Sequence, residues 1–289
     1  MFSIIIPSFN NLNYLKLCIN SIKKNSRYNH EIIIHINEGT DGTLDYVKKS
    51  DLKYTYSKEN SGLCTGTNLA ASTASTNYIL YSHDDMYFCP DWDTILEKEI
   101  KNQKNNAYYI SGTMIEKNGG HIKLDFGNTF EDFNEDKLIN EYKNIRFINY
   151  QGSHWAPHVI HRDLWKKVGG FSEEFDPGFG SDPDLNMKLW NEGVRIFKGL
   201  QHFKVYHFGS IVTRQKEKKF NTITESGSKG SKLFLLKWGF SIKFFKKHFL
   251  KSDTKYTGPL GEPFRNFSFY LELLICKFYV FYLKLFFKS

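Results

Sequence analysis

The chain has 289 residues, 40% hydrophobic and 17% aromatic, enough for one large α/β domain or one domain with an appendage. Its four cysteines, Cys18, Cys64, Cys89 and Cys276, are scattered without a C-x-x-C pair; this excludes a zinc framework and a disulfide scaffold and fits a reducing cytosol. The net charge of +8 comes from the end of the chain: residues 1–215 hold 24 Lys/Arg against 26 Asp/Glu, and residues 216–289 hold 15 against 5, the pattern of a functional tail on a near-neutral domain.

Phe2–Ile6 is a short apolar run ended by Pro7, with no basic segment before it, so no signal peptide is expected and the protein is placed in the cytoplasm. Leu12–Lys24 carries Leu12, Leu15, Ile19 and Ile22 at helical spacing. Glu31–Ile36 reads as a buried strand, Asp41–Lys49 as a helix after a Gly-rich turn, and Lys53–Ser57 as a third strand. The small, Ala/Thr-rich Cys64–Ser75 predicts a closely packed helix before the strand Tyr78–Tyr81. This βαβαβαβ rhythm predicts a doubly wound, mostly parallel sheet, whose ligands bind beyond the carboxyl ends of its strands. Pro7-Ser8, the Asn37–Gly42 loop and His83–Asp85 all fall at such ends.

Ser82-His83-Asp84-Asp85-Met86 is the strongest chemical signal. Adjacent carboxylates at the end of a buried strand repel, and a hard divalent cation shared with phosphate oxygens balances them. Taken alone, an Asp-Asp pair at a turn is more often solvated or capping.

In the second half, Ala107–Ile115 reads as a strand, and Lys117–Asn149 is polar without assigned structure. Asp182-Pro183-Asp184-Leu185 opens a helix to about Asn191, with Asp182 as its N-cap. Val194–Phe197 and Phe203–Phe208 predict two strands, and Thr213–Ser231 a mobile loop or linker. Lys232–Lys251 and Phe267–Lys288 are rich in Phe, Leu and Lys, the second with Lys277, Lys284 and Lys288 to one side of a wide apolar face. Neither is uncharged for long enough to span a bilayer. Two readings remain for this extension: a basic amphipathic surface on anionic lipid, or burial against the domain or another subunit of a homo-oligomer. Nucleic acid is disfavoured, because the aromatics are mostly Phe on a continuous apolar face.

Several segments then match one family in order: Ile4-Ile5-Ile6-Pro7-Ser8-Phe9-Asn10, Gly39-Thr40-Asp41-Gly42-Thr43, Asn60-Ser61-Gly62 with Asn68, Asp84-Asp85, Gly169-Gly170-Phe171 and Ser181-Asp182. Over residues 1–210 the chain resembles the GT-A-fold glycosyltransferases of family 2. The resemblance implies a Rossmann-like domain, taken over 1–215; residues 216–289 lie outside it, and their charge and apolar pattern make them a basic helical extension expected at the inner face of the membrane or against another subunit. It implies inverting transfer of a sugar from a nucleoside diphosphate to a glycan or lipid-linked acceptor, with Mn²⁺ or Mg²⁺.

By the same resemblance, Asp85 is the metal ligand and Asp84 binds ribose or assists at the metal. His83 stands where the family often has Asp and is placed among the nucleotide-sugar contacts, and the late histidine His207 completes the metal site or is a core histidine. Pro7, Ser8, Asn10 and Asn68 line the donor pocket. The base-and-ribose contact is left open among Asn37, Glu38 and Asp41, since Asn37-Glu38 replaces the family's acidic pair. Asp182 is the general base, with Asp184 as the alternative, and Ser181 takes the place of the family's Glu. His154 and Trp155 are candidates for the acceptor side. A catalytically silent scaffold is the rival reading; a nucleotidyltransferase would need a Gly-rich phosphate loop after the first strand.

Overall fold

The computed structural model describes residues 1–209 and 222–286. The strands are β1 (Ser3–Phe9), β2 (Glu31–Asn37), β3 (Lys53–Ser57), β4 (Tyr78–Tyr81), β5 (Met86–Phe88), β6 (Tyr108–Glu116), β7 (Ile122–Lys123), β8 (Tyr150–Gln151), β9 (His158–His161) and β10 (Ile196–His207). They form one sheet in the order β3-β2-β1-β4-β9-β6-β10-β5, with β7 on β6 and β8 on β10. The first half is parallel as expected. β9 and β5 run against their neighbours, and both are too short to carry a readable alternation.

The helices are α1 (Leu12–Asn25), α2 (Thr43–Lys49), α3 (Leu63–Ser72), α4 (Trp92–Lys101), α5 (Glu135–Glu141), α6 (Arg162–Val168) and α7 (Ser181–Asn191). Three more follow: α8 (Thr222–Trp238), the short α9 (Ile242–Phe245) and α10 (Phe267–Phe286).

Ile4, Ile5, Ile6, Ile33, Ile34 and Ile36 are fully buried, as central parallel strands covered on both faces require. Each contributes about 1.5–3 kcal/mol by leaving water. Leu15, Cys18, Ile19 and Ile22 of α1 pack on the same core. The small residues of α3 have the expected purpose: a Cβ on Gly66 would stand 2.4 Å from the His35 ring of β2.

Pro7 does not end β1, which continues to Phe9 beside β2. Successive residues of a strand bond to alternate sides, and Ile5 O accepts from Ser82 N on the β4 side. The missing N–H of Pro7 therefore faces the side that β4 has left, where no ladder bond is lost.

Two expected strands prove to be one, β10, which is irregular between Gly199 and Lys204; Gln201 and His202 interrupt the apolar pattern there. The polar stretch from Lys117 to Asn149 holds β7 and α5, and its Phe126, Leu138 and Tyr142 join Tyr14, Tyr87, Tyr206 and Phe208 in a second buried cluster.

Part of the expected 213–231 loop, 213–221, lies outside the described residues, and from Thr222 onward the chain is α8. Phe234, Phe245, Leu250 and Leu260 belong to the main core. The stretch before α10 is strapped to the sheet by Gln151 N to Thr254 O, Tyr256 N to Asn149 O and Leu260 N to Arg195 O. Much of the basic extension is thus packed on the same core as residues 1–209.

Candidate active site

Strand ends bring four titratable side chains together. β4 delivers the His83–Asp85 turn, β6 ends at Glu116, and β10 ends at His207. His207 Nε2 lies 3.1 Å from Asp85 Oδ1 and 3.3 Å from His83 Nδ1. Its Nδ1 is held 2.5 Å from Glu116 Oε1. One donor atom from each of His83, Asp85 and His207 falls within 4.8 Å of the others.

Burial alone would lower the pKa of His207, but Asp85 and Glu116 outweigh it and raise it to about 10. Burial, reinforced by His207, lowers that of His83 to about 4, leaving a neutral imidazole. Two imidazoles and a carboxylate, one ring oriented by a second carboxylate, suit a divalent transition metal such as Mn²⁺. The residues present fit the group.

Asp84 points elsewhere: Ser8 Oγ donates to its Oδ2 at 2.7 Å and Asn11 Nδ2 to its Oδ1 at 2.9 Å. Burial, and then the neighbouring Asp85, raise its pKa to about 7. It ties the acidic turn to the end of β1 and is not part of the metal cluster.

The expected nucleotide loops are tied to one another. Asn10 and Glu38 both adopt positive φ, 48° and 59°, backbone strain of the kind that collects at binding sites. Asn10 Nδ2 donates to Glu38 Oε2, and Asn10 Oδ1 accepts from Thr40 N. Three candidates change role. Asn37 is buried and spends its amide on Ser61 and Gly62. Asp41 accepts from Leu12 N and from Thr43 N and Oγ1, fastening the starts of α1 and α2. Asn68 clamps the Phe171 backbone in both directions. Asp41 makes these bonds from an exposed position, and Glu38, half-buried, is held by Asn10.

Asp182 is not the cap of α7; Gly180, with φ 87°, takes that position. Asp182 sits in the first helical turn with Oδ1 buried and without a hydrogen-bond partner among the described residues. Burial raises its pKa to about 7, and its charge bears on Tyr81 at the end of β4 and on Tyr109 of β6.

Asp184, the alternative base, is wholly buried and fully engaged. Ser172 Oγ donates to it at 2.6 Å, Trp238 Nε1 at 2.8 Å and Lys237 Nζ at 2.9 Å. It is the bolt between α7 and α8, and Gly230 lets α8 approach, since a Cβ there would lie 2.1 Å from Phe179 O. Asp184→Ala is expected to cost about 2–4 kcal/mol, because Lys237 and Trp238 lose a buried acceptor; urea unfolding checks it, and a loss below about 0.5 kcal/mol overturns the assignment.

On the proposed acceptor side, His154 is buried with its pKa lowered by burial to about 3, and Trp155 is 40% exposed. Trp155 lies 5.8 Å from the His121 ring. Reading the sequence missed Glu116 and Asn11. An acid closing the apolar run Tyr108–Ile115 at a strand's carboxyl end was the available signal for Glu116; Asn11 had none beyond adjacency to Asn10.

Comparison with known proteins matches residues 3–168, more than half of the chain, to the model of glycosyl transferase family 2. Chondroitin synthase and hyaluronan synthase of Pasteurella multocida are each 26% identical over 196 residues. That covers 66% of this chain and 19% of each relative, so the match spans about a fifth of their length. Among solved structures, S. aureus TarS 1-349 in complex with UDP-GlcNAc aligns with a TM-score of 0.57 at 16% identity, covering 88% of this chain and 68% of that one. GalNAc-T7 with UDP, GalNAc and Mn²⁺ aligns at 0.54 and 16% identity, covering 72% and 43%. At such identities the structural likeness speaks for the fold. With a GT-A sheet, its strand-end loops on one edge and a family match over more than half of its length, the chain belongs to glycosyl transferase family 2.

Proposed function

We propose that the protein transfers a sugar from a nucleoside diphosphate, UDP in the first instance, to a hydroxyl of a glycan or lipid-linked acceptor, with inversion. The observation that carries this is the His83–Asp85–His207 cluster together with Asp182, whose Oδ1 is buried and has no hydrogen-bond partner among the described residues. The TarS complexes with UDP and with UDP-GlcNAc support the donor class, and the two synthases support a glycan acceptor.

His83, Asp85 and His207 would hold Mn²⁺ or Mg²⁺, with Glu116 fixing the ring of His207. Such a cation, when bound, neutralises the charge that builds on the leaving diphosphate. Glu38 and Asn10 hold the nucleoside end, with Pro7 and Ser8 forming the floor. Asp182 takes the proton of the acceptor hydroxyl as that oxygen attacks the anomeric carbon from the face opposite the diphosphate. One displacement inverts the centre. A carboxylate with a pKa raised toward neutrality is a stronger base than an exposed one. Trp155 presents a ring face on which a sugar stacks, with His154 behind it.

Residues 1–215 carry this chemistry in the proposal, and 216–289 provide a membrane-surface or subunit contact at the cytoplasmic face. No helix among the described residues is long and apolar enough to cross a membrane.

A thermal-shift screen of nucleoside diphosphates and their sugars, with and without Mn²⁺, tests the reading. UDP with Mn²⁺ is expected to raise the midpoint by several degrees, as about 2.7 kcal/mol of linkage at a hundredfold excess over Kd implies. No shift with any nucleotide sinks it and favours the silent scaffold.

A further inference from the structure

α10 packs on the rest of the protein through one face only. Phe269 and Cys276 are buried against Phe244, with Leu235, Phe240, Phe249 and Leu273 around them. On the opposite face Phe267, Leu271, Leu274, Phe278, Phe281 and Leu285 are 46–82% exposed. At 100° per residue these six fall within an arc of about 80°. Tyr270 borders the arc on one side and Tyr282 on the other, both about half exposed, with Ile275 just beyond Tyr282. Lys277 and Lys284, also exposed, stand together on the Tyr270 flank, about 90° from the centre of the stripe. The acid of this helix, Glu272, lies on the packed side, bound by Lys247 and His248.

We propose that α10 docks the protein on an anionic lipid surface, lying in the plane of the headgroups with the Phe267–Leu285 stripe among the acyl chains. This deepens the membrane reading of residues 216–289 given above and is independent of the transfer chemistry. Three observations select lipid over a second copy of the chain. The six residues keep the four-and-three spacing of a paired-helix seam, but Ile275 and Tyr282 on one flank and Tyr270 on the other widen the exposed apolar arc to about 140°, beyond that seam. Its borders are tyrosines, which present an apolar body and a polar tip at a headgroup boundary, where a paired helix would carry opposite charges. The segment 216–289 holds 15 basic residues against 5 acidic ones, complementary to anionic headgroups. Through α8, whose Lys237 and Trp238 grip Asp184 of α7, the docked helix is joined to the element that carries Asp182. Such an attachment sets the active-site edge at a fixed height over the surface from which a lipid-linked acceptor would be presented.

Sedimentation of the full chain with phosphatidylcholine vesicles, with and without about one-third phosphatidylglycerol, tests this. Binding is expected on the anionic vesicles and is expected to weaken as salt rises. Phe278→Asp with Phe281→Asp is expected to weaken it more than about tenfold. Lys277→Gln with Lys284→Gln is expected to weaken it about tenfold and to flatten its salt dependence; this charge pair keeps the test sound were the aspartates to disturb folding. Light scattering is expected to give one mass for wild type and variants in the absence of vesicles. Wild-type protein that ignores anionic vesicles overturns the proposal. So does a wild-type dimer that the aspartates dissolve without any change in vesicle binding, which assigns the stripe to a second copy. The UDP thermal shift measured on the same samples reports the transfer reading separately.

Discussion

Asp182→Asn is expected to lower turnover by about 10²–10⁴-fold while leaving the affinity for the nucleotide unchanged. The substitution keeps the shape of the side chain and removes its ability to accept a proton. The wild-type pH profile follows from the same environment. Burial raises the carboxyl's pKa to about 7, and a base works only when ionised, so kcat is expected to fall on the acid side of pH 7 rather than below pH 4. Folding stability changes with the opposite sign. The pKa in the folded protein lies above the ordinary carboxylate value of about 3.9, so the folded state binds the proton more tightly than the unfolded chain does. Asp182's contribution is therefore complete below about pH 4 and is lost as pH rises through about 7. The asparagine variant, with no charge to bury, is expected to melt higher than wild type at pH 8 and at the same temperature at pH 4. Full activity of Asp182→Asn would remove the base from this residue, and the bonds already made by Asp184 argue against that residue as its replacement.

Asp85→Ala is expected to abolish divalent-dependent release of the nucleoside diphosphate, by about 10³-fold or more, since several kcal/mol of leaving-group stabilisation go with it. Mn²⁺ affinity, followed by the electron-spin signal of the free ion, is expected to fall in parallel. The graded series around it is equally informative. Asp85 is the single carboxylate of the cluster, while His83 and His207 are neutral donors when they ligate. His207→Ala removes a donor that Glu116 orients. His83→Ala and Glu116→Gln are each expected to weaken Mn²⁺ by about 10–100-fold. Asp84→Asn, outside the cluster, is expected to leave Mn²⁺ binding within about threefold of wild type. Unchanged turnover of Asp85→Ala at every metal concentration would end the metal assignment.

The division of labour between Asp84 and Asp85 shows how far the sequence reaches. The two acids share the turn between β4 and β5, and only Asp85 meets His207, which arrives from a strand more than a hundred residues later. The resemblance ranked Asp85 first. That Asp84 turns to Ser8 and Asn11 instead became visible only when β1 and β4 were set side by side. His83 moved the other way. Expected among the nucleotide contacts from its position in the motif, it lies within reach of Asp85 because His207 stands against both.

By itself the sequence determined the alternating strands and helices of residues 2–81, the strand ends at which chemistry collects, the family, and the uneven charge. These are local properties: an apolar run, a helical spacing or a motif carries its own signal over ten or twenty residues. Tertiary structure alone decided which of the candidate polar side chains are still open to a ligand. Asn37, Asn68 and Asp184 looked as available as Asp182 until their partners arrived from distant segments. Short antiparallel strands such as β5 and β9 were likewise hidden, because three or four residues take their conformation from their neighbours. A buried polar group must be satisfied by something, and the chain cannot say by what until the partner, often a hundred residues away, is in place.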